Sequence, residues 1–324
     1  MIKLHTTSKL IINSSKLPDS VAVGWSGGAD STALLLTLLQ HGYQVQAWHV
    51  DHAWHDDSAL QAEQLQRQAA AWQIDIKVAR LAAPNSNNRE AEARQGRYAQ
   101  FKQWAASSHI DTLCLGHHAD DQAETVCMRL LQGAGIPGCR GMQSHRQHGS
   151  LTIVRPLLQL PQSALKRWLT EAGINWLEDP SNQDTTIWRN RIRHRLFPAM
   201  QQTGINPTQL FLRWQVQAER LTSQLDSQID TLVHEHLCIS PAAAGLSISW
   251  SVWRACSAPV RARLLQKMMA ILLGEGATPG RRHILMIEAW TQRNGLGGLD
   301  LSRCRLQRKR KHLHLRPALA DLTA

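Results

Sequence analysis

The stretch VAVGWSGGADSTALLLTLLQ, residues 21–40, decides the fold. Val21-Ala-Val-Gly24 is a short apolar run that reads as a buried strand, and residues 31–40 read as a helix with a broad apolar face. Between them stands Ser26-Gly27-Gly28-Ala29-Asp30-Ser31. Paired glycines let a backbone turn sharply and come close to a ligand. The free N–H groups at a helix start, together with its dipole, favour an anion there. Ser26 and Ser31 add hydroxyl donors. The string has neither the lysine and spacing of GxxxxGK-S/T nor the pattern GxGxxG.

Outward from this loop the pattern repeats. Gln44–Val50, Ile74–Val78 and Thr112–Gly116 are strand candidates, and Asp57–Trp72, Arg89–Ser107 and Asp120–Gln132 are helix candidates. Strand and helix in turn imply an α/β fold, a doubly wound parallel sheet with helices on both faces and ligands at the carboxyl ends of its strands. After Pro156 the pattern changes. Pro161–Ala172 is one helix, residues 178–182 are turn-rich, Trp188–Met200 is a basic helix, and Asn206–His236 is a long helical stretch. Helices near 259–273 and 281–292 lead to Gly298–Pro317, which reads as a strand pair around the basic turn Arg308-Lys309-Arg310-Lys311. The expected organisation is a nucleotide-binding domain over 1–200, a helical linker over 201–240, and a smaller basic α+β domain over 241–324.

Charge follows the same division. Residues 1–184 carry 16 Lys and Arg against 17 Asp and Glu, whereas residues 185–324 carry 20 against 8. The whole excess of +11 therefore lies in the C-terminal part, whose natural partner is a polyanion. No apolar run is long enough to span a bilayer, and the N-terminal residues lack the apolar core of a leader peptide. The six cysteines are too sparse for a disulfide framework, and no two stand as CxxC. A reduced, cytoplasmic protein with no membrane partner is expected. Most of the twelve tryptophans lie among apolar residues and read as core.

Further candidates cluster after the strands. Val50-Asp51-His52 follows the second, where nucleotide edges are commonly read, although His52 reads equally well as a structural histidine. Gly116-His117-His118-Ala-Asp120-Asp121-Gln-Ala-Glu124-Thr125 follows the fourth. Carboxylates gathered there can hold Mg²⁺ against phosphate or hold a cationic amine. One of Asp120 and Asp121 can instead cap the helix. Asp30 beside phosphates needs a cation between them. Arg94 and Arg97 reach phosphate or the substrate base, or lie on a solvated face. Arg189 and Arg193 share one helix face, and Arg191 and Arg195 share another. The first pair would turn to the nucleotide and the second to RNA, or the whole string is a solvated basic helix. Arg308, Lys309, Arg310 and Lys311 read as an RNA-phosphate patch or as a solvated turn.

The SGGxDS string resembles the pyrophosphate loop of the N-type ATP pyrophosphatase superfamily. With Arg155-Pro-Leu-Leu158, Glu178-Asp-Pro-Ser-Asn182 and Arg189-Asn-Arg-Ile-Arg-His194, the motifs are similar, over about residues 20–200, to tRNA(Ile)-lysidine synthetases of the shorter form. The resemblance implies ATP and Mg²⁺ as cofactors and, as partners, free L-lysine and the isoleucine tRNA with a CAU anticodon. ATP would adenylate O2 of the wobble cytidine, and the lysine ε-amine would then displace AMP from C2. Carried over, Ser26, Gly27, Gly28, Ala29, Asp30, Ser31, Asp51, His52, Gly116 and His117 bind ATP. Asp30, Asp120, Asp121, Arg94, Arg97, Arg189 and Arg193 are catalytic, with Asp30 and Asp121 on the metal. A homodimer is implied as well. A tRNA thiolase on the same fold usually needs a cysteine pair, and an inactive RNA-binding relative has no need of both the loop and the 116–125 string. Trp25 is bulkier and Ala29 smaller than the family pattern leads one to expect.

Overall fold

The computed structural model describes residues 9–13, 17–52, 58–82, 89–178, 180–240, 245–274, 277, 279–301 and 303–318. Asp57 of the second expected helix, Asp179 of the 178–182 turn, the first eight residues and residues 241–244 lie outside them. The chain forms two compact units, one up to Ala218 and one from Glu219 onward. That division falls inside the stretch expected to be a linker, within a single helix.

In the first unit, β1 (Ser20–Gly24), β2 (Gln44–Asp51), β3 (Asp75–Arg80) and β4 (Thr112–Cys114) alternate with α1 (Ala29–Gln40), α2 (Ser58–Trp72), α3 (Arg89–Ser108) and α4 (Ala119–Leu131). A hairpin follows, β5 (His145–His148) and β6 (Leu151–Val154), and then α5 (Gln162–Glu171). The sheet order is β3-β2-β1-β4-β6-β5. All neighbours are parallel except β5 and β6. The antiparallel edge strand is a departure from the all-parallel expectation. Its sequence, His-Arg-Gln-His, is polar throughout and offers no alternation to read.

Successive strand residues face opposite sides of a sheet. Val21 and Val23 pack with α1, α2 and α5 through Leu34, Leu65 and Trp168. Ala22 packs with Trp48, Phe101 and Trp104 on the α3 side. Both faces of β1 are therefore buried, which is why it reads as an unbroken apolar run.

The helix expected over Trp188–Met200 is continuous but not uniform. It runs as α6 (Trp188–Arg191), a π-helical turn at Ile192–Leu196, and α7 (Phe197–Gln202). Ile192 and Phe197, five apart, both pack on Ala123 and Cys127 of α4, a spacing that the wider π turn accommodates. The long helix α8 (Pro207–His236) follows.

The second unit is an antiparallel sheet of order β7-β8-β11-β10-β9. Its strands are β7 (Cys238–Ser240), β8 (Gly245–Ser249), β9 (Gly298–Leu301), β10 (Cys304–Lys309) and β11 (His312–Pro317), packed with α9 (Trp250–Ala255), α10 (Ala258–Leu273) and α11 (Arg281–Gln292). Two features differ from the expected strand pair. The segment 299–307 is not one strand: Leu299 and Leu301 have odd numbers, Cys304 and Leu306 even ones, and all four pack in one core. The parity change demands a chain reversal, so β9 and β10 pair with each other. The short strands β7 and β8 complete the sheet.

Candidate active site

The loop after β1 owes its shape to Gly27, whose φ of 83° is left-handed. A Cβ there would also sit 2.7 Å from Leu177 and 2.8 Å from Leu65. Gly28 is the N-cap of α1, in extended conformation and with no side-chain capping bond. Ala29 and Asp30 therefore begin the helix two residues before the expected start, and the first N–H groups are left for a ligand. Ser26 N donates to Ser31 Oγ at 3.2 Å, the two hydroxyls lie 3.1 Å apart, and Ser31 Oγ donates to the Gly28 carbonyl at 3.1 Å. Trp25 is accommodated rather than disruptive: its ring N–H donates to Thr32 Oγ1 at 3.0 Å and its ring lies against Trp72.

Gly116 brings the end of β4 onto this loop. A Cβ at 116 would lie 2.9 Å from both the carbonyl carbon and oxygen of Asp30. A cleft of about 420 Å³ opens at this junction. Ser26, Gly28, Asp30 and Ser31 line it from the loop, His52 from the end of β2, Arg94, Arg97 and Tyr98 from α3, and Gly116, His117 and Asp121 from the β4–α4 turn. Ten of the sixteen residues marked for ATP binding or catalysis are thus brought together.

Neutral histidines line part of the cleft. Burial, followed by the charge of Arg97, pushes His52 down to about 4. Burial likewise holds His117 at about 4, and its neutral Nδ1 accepts from Arg155 Nε at 3.3 Å. Arg155 is itself buried and also donates to the Gln143 carbonyl at 2.7 Å.

Carboxylates line another part of the cleft. His118 is the N-cap of α4, and Asp121 caps it in return through a capping box. Its N–H donates to Asp121 Oδ2 at 3.1 Å, and Asp121 N donates to its Nδ1 at 3.4 Å. His118 Nε2 lies 3.5 Å from Asp30 and 3.4 Å from Asp121. Burial opposes its protonation, but the bond to Asp30 and the charges of Asp121, Asp30 and Asp120 outweigh burial, so its pKa stands above the ordinary value.

Some candidates are not placed at the cleft. Asp120 is held by the Gln162 N–H at 2.9 Å and the Thr208 hydroxyl at 2.7 Å, and so ties α5 and α8 to α4. Asp51 is buried; it accepts from Ser58 at 3.2 Å and lies 3.5 Å from Arg80. Gly27 and Ala29 shape the loop from behind. Arg189 and Arg193 do share a face, yet it meets carboxylates: each places Nε 2.6 Å from a Glu124 oxygen and Nη2 within 3.3 Å of Asp121 Oδ1. Each of the two arginines is thus paired with both Asp121 and Glu124. Arg191 lies over the Trp188 ring at 4.8 Å, and Arg195 donates to Thr185 at 3.3 Å.

In the second unit Arg308 is engaged, over the Trp250 ring at 4.8 Å and donating to the Asn294 carbonyl at 2.6 Å. Lys309, Arg310 and Lys311 are exposed at the turn, with Arg310 in the left-handed region at φ 52°. Sequence reasoning missed Gln162 and Thr208, whose partners are 132 and 88 residues away. No local pattern announces such contacts.

Asp30 and Asp121 suit Mg²⁺. They are hard oxygen donors on one side of the cleft, and two carboxylates beside phosphates are what this ion commonly takes. Among the described residues there is no cluster of three or more His, Cys, Asp or Glu that would cage a metal.

A family model described as a PP-loop domain matches residues 3–200. The chain is 39% identical over 196 residues to the tRNA(Ile)-lysidine synthase of Polaromonas naphthalenivorans, covering 59% of this chain and 58% of that relative. It is 33% identical over 223 residues to that of Chlamydia felis, covering 68% and 70%. The matched part thus spans little more than half of the first relative's length. A U34-tRNA thiolase from Methanococcus maripaludis shares the fold, with TM-score 0.51 and 17% identity over 62% of this chain and 71% of that one.

Proposed function

Because the chain belongs to the tRNA(Ile)-lysidine synthase family of PP-loop proteins, we propose that it joins free lysine to C2 of the wobble cytidine of a CAU-anticodon isoleucine tRNA in the cytoplasm. In this reading, cytidine O2 attacks the α-phosphorus of ATP and pyrophosphate leaves. The lysine ε-amine then attacks C2, the C2–O2 bond breaks, AMP departs with that oxygen, and the amine gives up a proton. The base carbonyl oxygen is a poor leaving group, and adenylation makes it a good one.

The observation that carries the reading is the cleft itself. Its lining combines the loop after β1 with the cations Arg94 and Arg97 and the carboxylates Asp30 and Asp121. The open N-terminus of α1 and the Ser26 and Ser31 hydroxyls suit a departing pyrophosphate. Arg97 makes no ion pair among the described residues and is free to meet a phosphate. His52 and His117, held neutral, suit an uncharged base or adenine edge. Asp30 and Asp121 would hold Mg²⁺, which when bound neutralises phosphate charge. Asp30 is 29% exposed against 13% for Asp121, so Asp30 is the better placed to orient the incoming amine and take its proton. A basic second unit would hold the tRNA body. Homodimerisation belongs to the same family reading.

The thiolase reading has less support. Cys114, the cysteine on the central sheet, is buried and its thiol is pushed up to about 12 by burial. Such a group is not a thiolate nucleophile. Pyrophosphate release from ATP by the full chain tests the proposal. It should require the CAU isoleucine tRNA transcript, and release that is indifferent to tRNA would contradict it.

A further inference from the structure

Residues 1–184 carry nearly balanced charge, and several arginines of the first unit sit on carboxylates: Arg80 on Asp51, and Arg189 and Arg193 on Asp121 and Glu124. One group of cations does not. Arg94, Tyr98 and Lys102 stand at i, i+4 and i+8 on α3 and therefore form a single stripe. Eight residues of helix make it about 12 Å long. The unforeseen β5–β6 hairpin lies along this stripe. The His148 ring is 4.8 Å from the Tyr98 ring, the Arg94 guanidinium is 5.2 Å from the same ring, and Lys102 Nζ lies 3.3 Å from where a Cβ on Gly149 would stand. Arg146 is two residues before His148 on the same strand and shares its face. Behind burial, the charges of Lys102, Arg146 and Arg94 all lower the proton affinity of His148, in keeping with one cluster. Arg94, Lys102 and Arg146 are exposed, and among the described residues none of them makes an ion pair.

The stripe leads somewhere. Arg94 and Tyr98 also line the cleft, with Arg97 beside them. A row of unneutralised cations that ends at a nucleotide-sized cleft matches a chain of phosphates better than one anion. We propose that Arg94, Lys102 and Arg146 form a phosphodiester-binding stripe on the first unit, which holds the RNA backbone flanking the base delivered to the cleft. The inference rests on the tRNA reading above and adds a surface to it. It places RNA-binding residues on the near-neutral part of the chain, where overall composition gave no sign of them.

The test leaves Arg94 untouched and uses the full-length double variant Lys102→Gln/Arg146→Gln. Binding of the CAU isoleucine tRNA transcript is measured by fluorescence anisotropy across a salt series, with ATP binding measured in parallel. The variant should bind tRNA more weakly, and the slope of log K against log salt should shrink by about 1 for each phosphate that is no longer neutralised. Backbone phosphates carry no sequence information, so binding of an elongator methionine tRNA should weaken by the same factor. ATP binding should not change. The charge-retaining variant Lys102→Arg/Arg146→Lys should bind like wild type, and equal weakening in both double variants would overturn the proposal. Wild-type affinity and slope in the neutral variant would overturn the stripe and leave the tRNA reading standing. Absence of tRNA binding by the wild-type chain would overturn both.

Discussion

The side-chain amide of Gln162 donates to both carboxylate oxygens of Asp30, at 3.2 and 3.1 Å. The same residue gives its backbone N–H to Asp120 at 2.9 Å. One glutamine at the start of α5 thus fixes the acidic residue of the glycine loop and ties it to the start of α4. Asp30 needs such a partner, because a carboxylate at the mouth of an anion site is turned by whatever cation is nearest.

Replacing Gln162 by alanine should therefore leave the fold intact and misplace Asp30. A hydrogen bond to a charged group is worth about 1.5–3 kcal/mol, so turnover should fall roughly tenfold or more. Gln162→Glu should be worse, since it sets two carboxylates against each other. Steady-state pyrophosphate release checks this, and wild-type turnover in both variants would contradict it.

Glu124 is 2% exposed and holds Arg189 and Arg193 at 2.6 Å each. Glu124→Gln leaves two guanidinium groups facing Asp121 alone. Removing one partner from a buried ionic network costs about 3–5 kcal/mol, which denaturant unfolding would read as a large drop in midpoint. A destabilisation below about 1 kcal/mol would mean that solvent already screens the network.

Gly116→Ala places a methyl 2.9 Å from the Asp30 backbone, whereas a Cβ at Gly135 meets only Pro137, at 3.9 Å. The first should displace the loop and weaken ATP binding at least tenfold, while Gly135→Ala should leave it unchanged. Isothermal titration with ATP distinguishes them, and equal affinities in the two variants would count against close loop–strand approach as the reason for glycine at 116.

Burial lowers the pKa of both His49 and His52, the latter to about 4. A base whose folded value lies below its unfolded value favours the neutral form in the fold. Its contribution is complete above about pH 6.5 and is lost as pH falls toward 4. The thermal midpoint should drop across that window, and His52→Gln should flatten part of the drop. Superimposable curves for wild type and variant would contradict the assignment.

Local pattern was enough for much of this. The strand–loop–helix of residues 21–40 and its repeats follow from period and turn chemistry, and they place the loop at a strand end before any tertiary packing is known. The shared face of Arg189 and Arg193 follows from helix geometry. What that face meets does not, because Glu124 and Asp121 lie 65 to 72 residues away. Asp120 looks as catalytic in sequence as Asp121, yet the structure commits it to Gln162 and Thr208. The His145–His148 strand is legible only once Leu151 and Ile153 of its partner are seen buried against Tyr98 and Phe101.

The most direct measurement is incubation of the purified full chain with ATP, Mg²⁺, radiolabelled lysine and the CAU isoleucine tRNA transcript. The expected result is label in the RNA that resists mild alkaline deacylation, because the lysine is bonded through its ε-amine to a base. Folded, ATP-binding protein that leaves the RNA unlabelled would contradict the proposed reaction.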